Sequence, residues 1–135
     1  MTTLTASTTV LPTTGVLRPG LKAAAVAAVA TTAFAAVTHA AGVSYAIKGE
    51  AIPVLGFGQL TFAFSLVGVA LAAVLARRAR HAQSTFIRAT VGLTLLSFIP
   101  DITAQASSAT RLSLMLAHVI AAAIVIPQLA ARLSD

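Results

Sequence analysis

The chain has 135 residues, enough for one domain, and is 58% hydrophobic but only 9% charged. A soluble domain carries roughly 25% charged residues, so the composition excludes an ordinary water-soluble fold and points to a bilayer. The net charge of +6 does not indicate a nucleic-acid partner, because the basic residues sit at the ends of apolar runs, and the lack of cysteine excludes disulfides and thiolate metal sites.

Residues 1–21 are Thr-rich, with Pro12, Gly15, Pro19 and Gly20 and no helical periodicity. They are expected to form a disordered tail, with a short β-segment as the weaker alternative. The membrane domain is expected over 22–133. Its first span, 22–47, is Ala-rich and uncharged for more than 20 residues after Lys22, long enough to cross a hydrocarbon core of about 30 Å. Thr31, Ala35, Thr38 and Gly42 make a stripe of small residues of the kind that lets membrane helices approach closely. A basic start followed by an apolar run and V-T-H-A also fits a signal peptide cleaved after Ala40. The run is long for that, and its orientation suits a four-span chain.

Residues 44–53 form a short connection broken by Lys48, Gly49, Glu50 and Pro53, with Tyr45 suited to a membrane interface. The second span, 54–76, repeats the small and weakly polar stripe at Thr61, Ser65, Gly68 and Ala72, and ends at Arg77, Arg78, Arg80 and His81. That basic cluster reads as a topology determinant; the sharper reading is attraction to anionic lipid headgroups. The third span, 85–105, carries Thr90, Thr94, Ser97, Asp101 and Gln105 at spacings that put them on one helix face. A polar stripe in a membrane faces protein or water, so the other three spans are expected to gather around this one. Pro100 removes one backbone bond near its far end. The fourth span, 112–131, has His118 as its ionisable residue.

With the loop between spans two and three in the cytoplasm, seven of the nine Lys and Arg residues lie inside. Lys48 and Arg111 lie outside. Over short loops this is a strong positive-inside bias. It places both termini in the cytoplasm, which requires an even number of spans. The expected fold is therefore an all-α, four-transmembrane-helix antiparallel bundle with both ends inside.

The same count puts the intramembrane polar groups at one depth, in the outer half. His39, Asp101 and His118 are the candidate catalytic residues, and Gln59, Ser97 and Gln105 the candidate ligand-binding ones. A histidine beside a carboxylate is held in one tautomer and made more basic, which suits proton transfer. The plain alternative is that Asp101 caps a turn while His39 and His118 bond backbone carbonyls. Two histidines and a carboxylate are also a metal-ligand set. Here they come from three separate helices without i, i+3 or i+4 spacing, so neither a metal nor a haem cofactor is assigned. Gly56-Phe57-Gly58 lacks the strand and helix context of a nucleotide loop.

The L-S-F-I-P-D run of span three, with L-M-L-A-H-V-I-A-A-A-I-V-I-P-Q-L-A-A-R-L in span four, resembles small actinobacterial four-span membrane proteins classed as a domain of unknown function. The resemblance covers roughly residues 22–133, with Pro100, His118 and Arg132 on its soft motifs. It implies a bacterial cell membrane and four spans, and no activity. Three functions compete. The first is a binding or accessory protein whose outer-half pocket takes a lipid or small hydrophobic ligand. The second is an enzyme using Asp101, His118 and His39 on a lipid or isoprenoid-like substrate. The third is a small carrier, which at this length requires a homo-oligomer and which the apolar inner half argues against.

Overall fold

The computed structural model describes residues 14–135; the expected disorder over 1–13 lies outside them. In chain order the elements are α1 (Thr14–Ala40), β1 (Ala46–Ile47), β2 (Glu50–Ala51), α2 (Val54–Arg78), α3 (Ala82–Thr103) and α4 (Ser108–Ala130). The fold is all-helical apart from the short hairpin. Each of the four helices is long and apolar enough to cross a membrane. At about 1.5 Å per residue, even the 22 residues of α3 span the roughly 30 Å hydrocarbon core.

α1 differs from expectation at both ends. It starts at Thr14, so Arg18, Pro19 and Gly20 belong to the helix and not to a tail. Tertiary packing overrides the local Pro and Gly signals here. Val16 is 1% exposed, and a Cβ at Gly20 would press on Val69 Cγ1 at 3.0 Å and Leu129 Cδ2 at 3.1 Å. Gly20 therefore lets α1 seat against α2 and α4 together. At the other end the helix stops at Ala40, seven residues before the expected limit. Gly42 takes φ 107°, the left-handed conformation that ends helices. The amides of Gly42 and Val43 close back on the carbonyls of His39 and Thr38, the two bonds of a Schellman motif.

The expected plain connection at 44–53 is an antiparallel hairpin, pairing Ala46 with Ala51 and Ile47 with Glu50. Its loop is Lys48-Gly49, with φ of 52° and 83°. Positive φ at both positions is the turn whose twist matches paired strands. Lys48 N–H donates to the Gln105 carbonyl at 3.0 Å, tying the hairpin to the α3–α4 loop. Tyr45, expected at the interface, is fully buried beneath this strap. Its ring meets Phe57 edge-on at 4.6 Å, and its hydroxyl bonds the Thr38 hydroxyl.

α1 is the helix on which the bundle is built; it packs along both α2 and α4, while α3 docks chiefly on α4. This corrects the expectation that the third span is central. The reason lies in side-chain size. Ala24, Ala27, Thr31 and Ala35 are all fully buried on one face of α1, and small residues let two neighbours come close. Across the α1–α2 seam the hydroxyls of Thr31 and Thr61 bond at 2.9 Å. Ser65 and Ala72 of the predicted α2 stripe are buried as well. Large apolar residues point away instead: Leu55 and Phe64 are each 70% exposed, as suits lipid contact.

Candidate functional site

The polar stripe of α3 is consumed mostly within its own helix. Thr90 donates to the Phe86 carbonyl at 2.7 Å, Thr94 to the Thr90 carbonyl at 2.8 Å, and Ser97 to the Thr94 carbonyl at 2.6 Å. Hydroxyls that back-bond in this way need no partner in a bilayer. Asp101 has no such option. It is 8% exposed, two residues from the end of α3, and a carboxylate there requires a partner from another helix.

That partner is His118. The α3–α4 loop is short, and Ser107 caps α4 by accepting from the Thr110 amide at 3.1 Å. The two helices therefore run antiparallel and in close register. Asp101 near the end of one meets His118 three turns into the other, with Oδ2 and Nδ1 2.9 Å apart. Both atoms are buried, and neither makes a well-directed hydrogen bond. The contact is a close ion-pair approach, and both groups retain hydrogen-bonding capacity. Asp101 is enclosed while the His118 side chain is 42% exposed, so the imidazole is the reachable member. Phe98 lies edge-on to its ring at 6.5 Å.

His118 also lines a groove of about 130 Å³ between α2 and α4, walled by Phe57, Thr61, Phe64, Leu114 and Ala117. The groove is apolar apart from Thr61 and the imidazole. A cavity near 150 Å³ holds one benzene, so this one holds a segment of a hydrocarbon chain, with the rest of the molecule in the bilayer.

The other predicted residues stand apart from this pair. His39 is exposed in the last turn of α1, and its Nδ1 lies 2.8 Å from the Val43 carbonyl. That is the backbone-bonded alternative, and it leaves the expected triad as a dyad. Gln59 is exposed on α2, next to the buried Gly58 rather than in the groove. Gln105 is exposed beyond the end of α3, where its carbonyl receives the hairpin amide. Ser97 is half-buried and bonded within its helix. Among the described residues, no group of three His, Asp or Glu side chains is placed to hold a metal ion. The groove walls were missed in the sequence because Phe57, Thr61 and Ala117 read as packing. The available signal was Leu114, Ala117, His118 and Ala121 sharing one face of α4 at helical spacing.

The model of a family described as "Family of unknown function (DUF6069)" matches residues 12–135, nearly the whole chain, and the chain belongs to that family. No curated protein and no solved structure matches it.

Proposed function

We propose that this member of a family of unknown function is a binding protein of the bacterial plasma membrane. In this reading both termini are cytoplasmic and the working site is the Asp101–His118 pair at the rim of the α2–α4 groove. The orientation is supported by the seven cations gathered at the end away from the hairpin. The ligand is a lipid or another small hydrophobic molecule carrying one polar group. Its apolar part lies against Phe57, Phe64 and Leu114, and its polar group meets the imidazole. The observation that carries the reading is the 2.9 Å contact between a buried carboxylate and a half-exposed imidazole that opens onto an apolar groove. Intramembrane ionisable groups are costly, and they persist where they meet a ligand or one another. Asp101 holds the ring in place; His118 is the group that touches the ligand.

An acid–base enzyme built from three residues is the weaker reading, because His39 is turned to its own backbone.

The test is photo-crosslinking in membranes with a diazirine fatty acid. Labelling is expected at α2 residues 57–64 and α4 residues 114–121. Ala121→Phe, which fills the groove, and Asp101→Asn, which frees the imidazole, should both reduce it. Labelling that is unchanged in both variants removes the proposal. Asp101→Asn should also fail to support whatever phenotype the wild-type gene complements.

A further inference from the structure

A larger recess, about 500 Å³, lies at the opposite end of the bundle, between the start of α1 and the end of α4. Arg18 and Lys22 line it from α1; Gln128 and Arg132 line it from α4 and just beyond. Arg18 and Lys22 are spaced i, i+4 and project from one face of α1, and Arg132 follows Gln128 in the turn that ends α4. Gly20 packs on Leu129, which fixes the antiparallel register. Arg18 and Arg132 therefore stand at the mouth, with Lys22 and Gln128 about one turn further in. Below them the wall becomes apolar, through Ala23, Val26 and Ile124.

Among the described residues, no carboxylate side chain pairs with these three cations. The whole sequence has three Asp and Glu residues. Glu50 sits in the hairpin, and Asp101 is held by His118 at that same end. Asp135 accepts from the Ser84 amide at 3.0 Å and the Ser84 hydroxyl at 3.2 Å, on the α3 side. Convergent like charges without a counter-ion repel one another, and a bound anion relieves that repulsion.

We propose that this recess binds a phosphate-ester anion. Arg18, Lys22 and Arg132 hold the phosphate, and the apolar wall beneath takes an acyl chain. Arginine forks match phosphate oxygens bidentately, and lysine adds a point charge. Basic pockets between membrane helices hold anionic headgroups by this chemistry. A charged mouth above an apolar wall fits a phospholipid; a soluble phosphate ester would use the mouth alone. This site is independent of the groove beside His118.

The test titrates the purified full chain in non-ionic detergent with phosphatidylglycerol, phosphatidylcholine or glycerol 3-phosphate, and counts bound ligand by native mass spectrometry. Phosphatidylglycerol should bind in preference to phosphatidylcholine. The triple variant Arg18→Gln, Lys22→Gln, Arg132→Gln should bind it on the order of a hundredfold more weakly, from about fivefold per cation. A control triple outside the recess, Lys48→Gln, Arg88→Gln, Arg111→Gln, makes the same change in net charge and should bind as wild type does. Saturable binding of glycerol 3-phosphate with the same dependence on the recess cations supports the anion site and assigns it to a soluble ester. Equal loss in both triples, or no loss in the recess triple, overturns the proposal. Arg132→Gln alone lies past the end of α4, where folding is insensitive to it. It should lose about fivefold, and no loss there also overturns the proposal.

Discussion

Gly58→Ala tests the seam between α1 and α2, on which both the hairpin and the outer groove depend. A Cβ at this position would lie 3.2 Å from the Ala28 carbonyl oxygen and collide with Thr32 Oγ1. The hydroxyl is not free to swing aside, because it donates to that same Ala28 carbonyl at 2.7 Å. The carbonyl belongs to the helix backbone and does not move alone. Either α2 lifts away from α1 or Thr32 gives up its bond. Overpacking of this kind costs about 1–3 kcal/mol. The helix-propensity gain of Ala over Gly, about 1 kcal/mol, offsets part of that. The net expectation is a loss of about 0–2 kcal/mol on those two figures. Gly92→Ala is the matched control: nothing lies within 4 Å of its Cβ, so only the propensity gain remains and the variant should be slightly more stable. Unfolding in dodecylmaltoside micelles with a rising fraction of dodecyl sulfate, followed by circular dichroism, measures both. Adding Thr32→Ala to Gly58→Ala should recover part of the loss. Crosslinking at Phe57 and Thr61 should fall in Gly58→Ala, because they flank the displaced residue. If Gly58→Ala is as stable as Gly92→Ala, the close approach at this seam is wrong.

Two further outcomes follow from other contacts. Tyr45→Phe removes a buried hydroxyl that bonds Thr38, while Thr38 still donates to the Phe34 carbonyl at 2.7 Å. The cost should be about 1 kcal/mol, against about 3–5 kcal/mol for Tyr45→Ala, which also empties the space against Phe57; the same micelle assay separates them. Asp135 supplies the carboxylate cap that α3 lacks, since His81 at the N-cap makes no side-chain bond. The Ser84 amide holds the Asp135 carboxyl below the usual carboxylate range. A depressed carboxyl contributes stability above its unfolded pKa and loses it as pH falls through the folded value. The tether of the C-terminal segment to α3 should therefore survive the ordinary range and release only at more acid pH. Carbon-detected NMR titration of Asp135 should place its midpoint below that of an Asp in a model peptide, and a midpoint at or above the peptide's contradicts the cap.

Class and span number were legible in the sequence because they follow from local quantities. Apolar run length sets how many helices can cross a bilayer, and the small stripes at Thr31 and Ala35, and at Ser65 and Ala72, already marked the faces of α1 and α2 that pack. Asp101 and His118 stood out because a membrane makes any ionisable group expensive. Helix α1 reaching back to Thr14 was not legible: Pro19 and Gly20 signal a break locally, and only the fit of Gly20 against Val69 and Leu129 overrides it. The hairpin was hidden because two-residue strands have no periodicity, although Lys48-Gly49 carries the turn. Which polar residues meet was decided by the tertiary structure alone. Spacing along α3 aligned Thr90, Thr94, Ser97 and Asp101, but hydroxyls can bond their own helix and a carboxylate cannot. The antiparallel register of α3 and α4 brought His118 to Asp101. The Schellman turn at Gly42 left His39 on its own backbone, and the register of α1 with α4 brought Arg132 to Arg18 and Lys22, from which the sequence separates it by more than 100 residues.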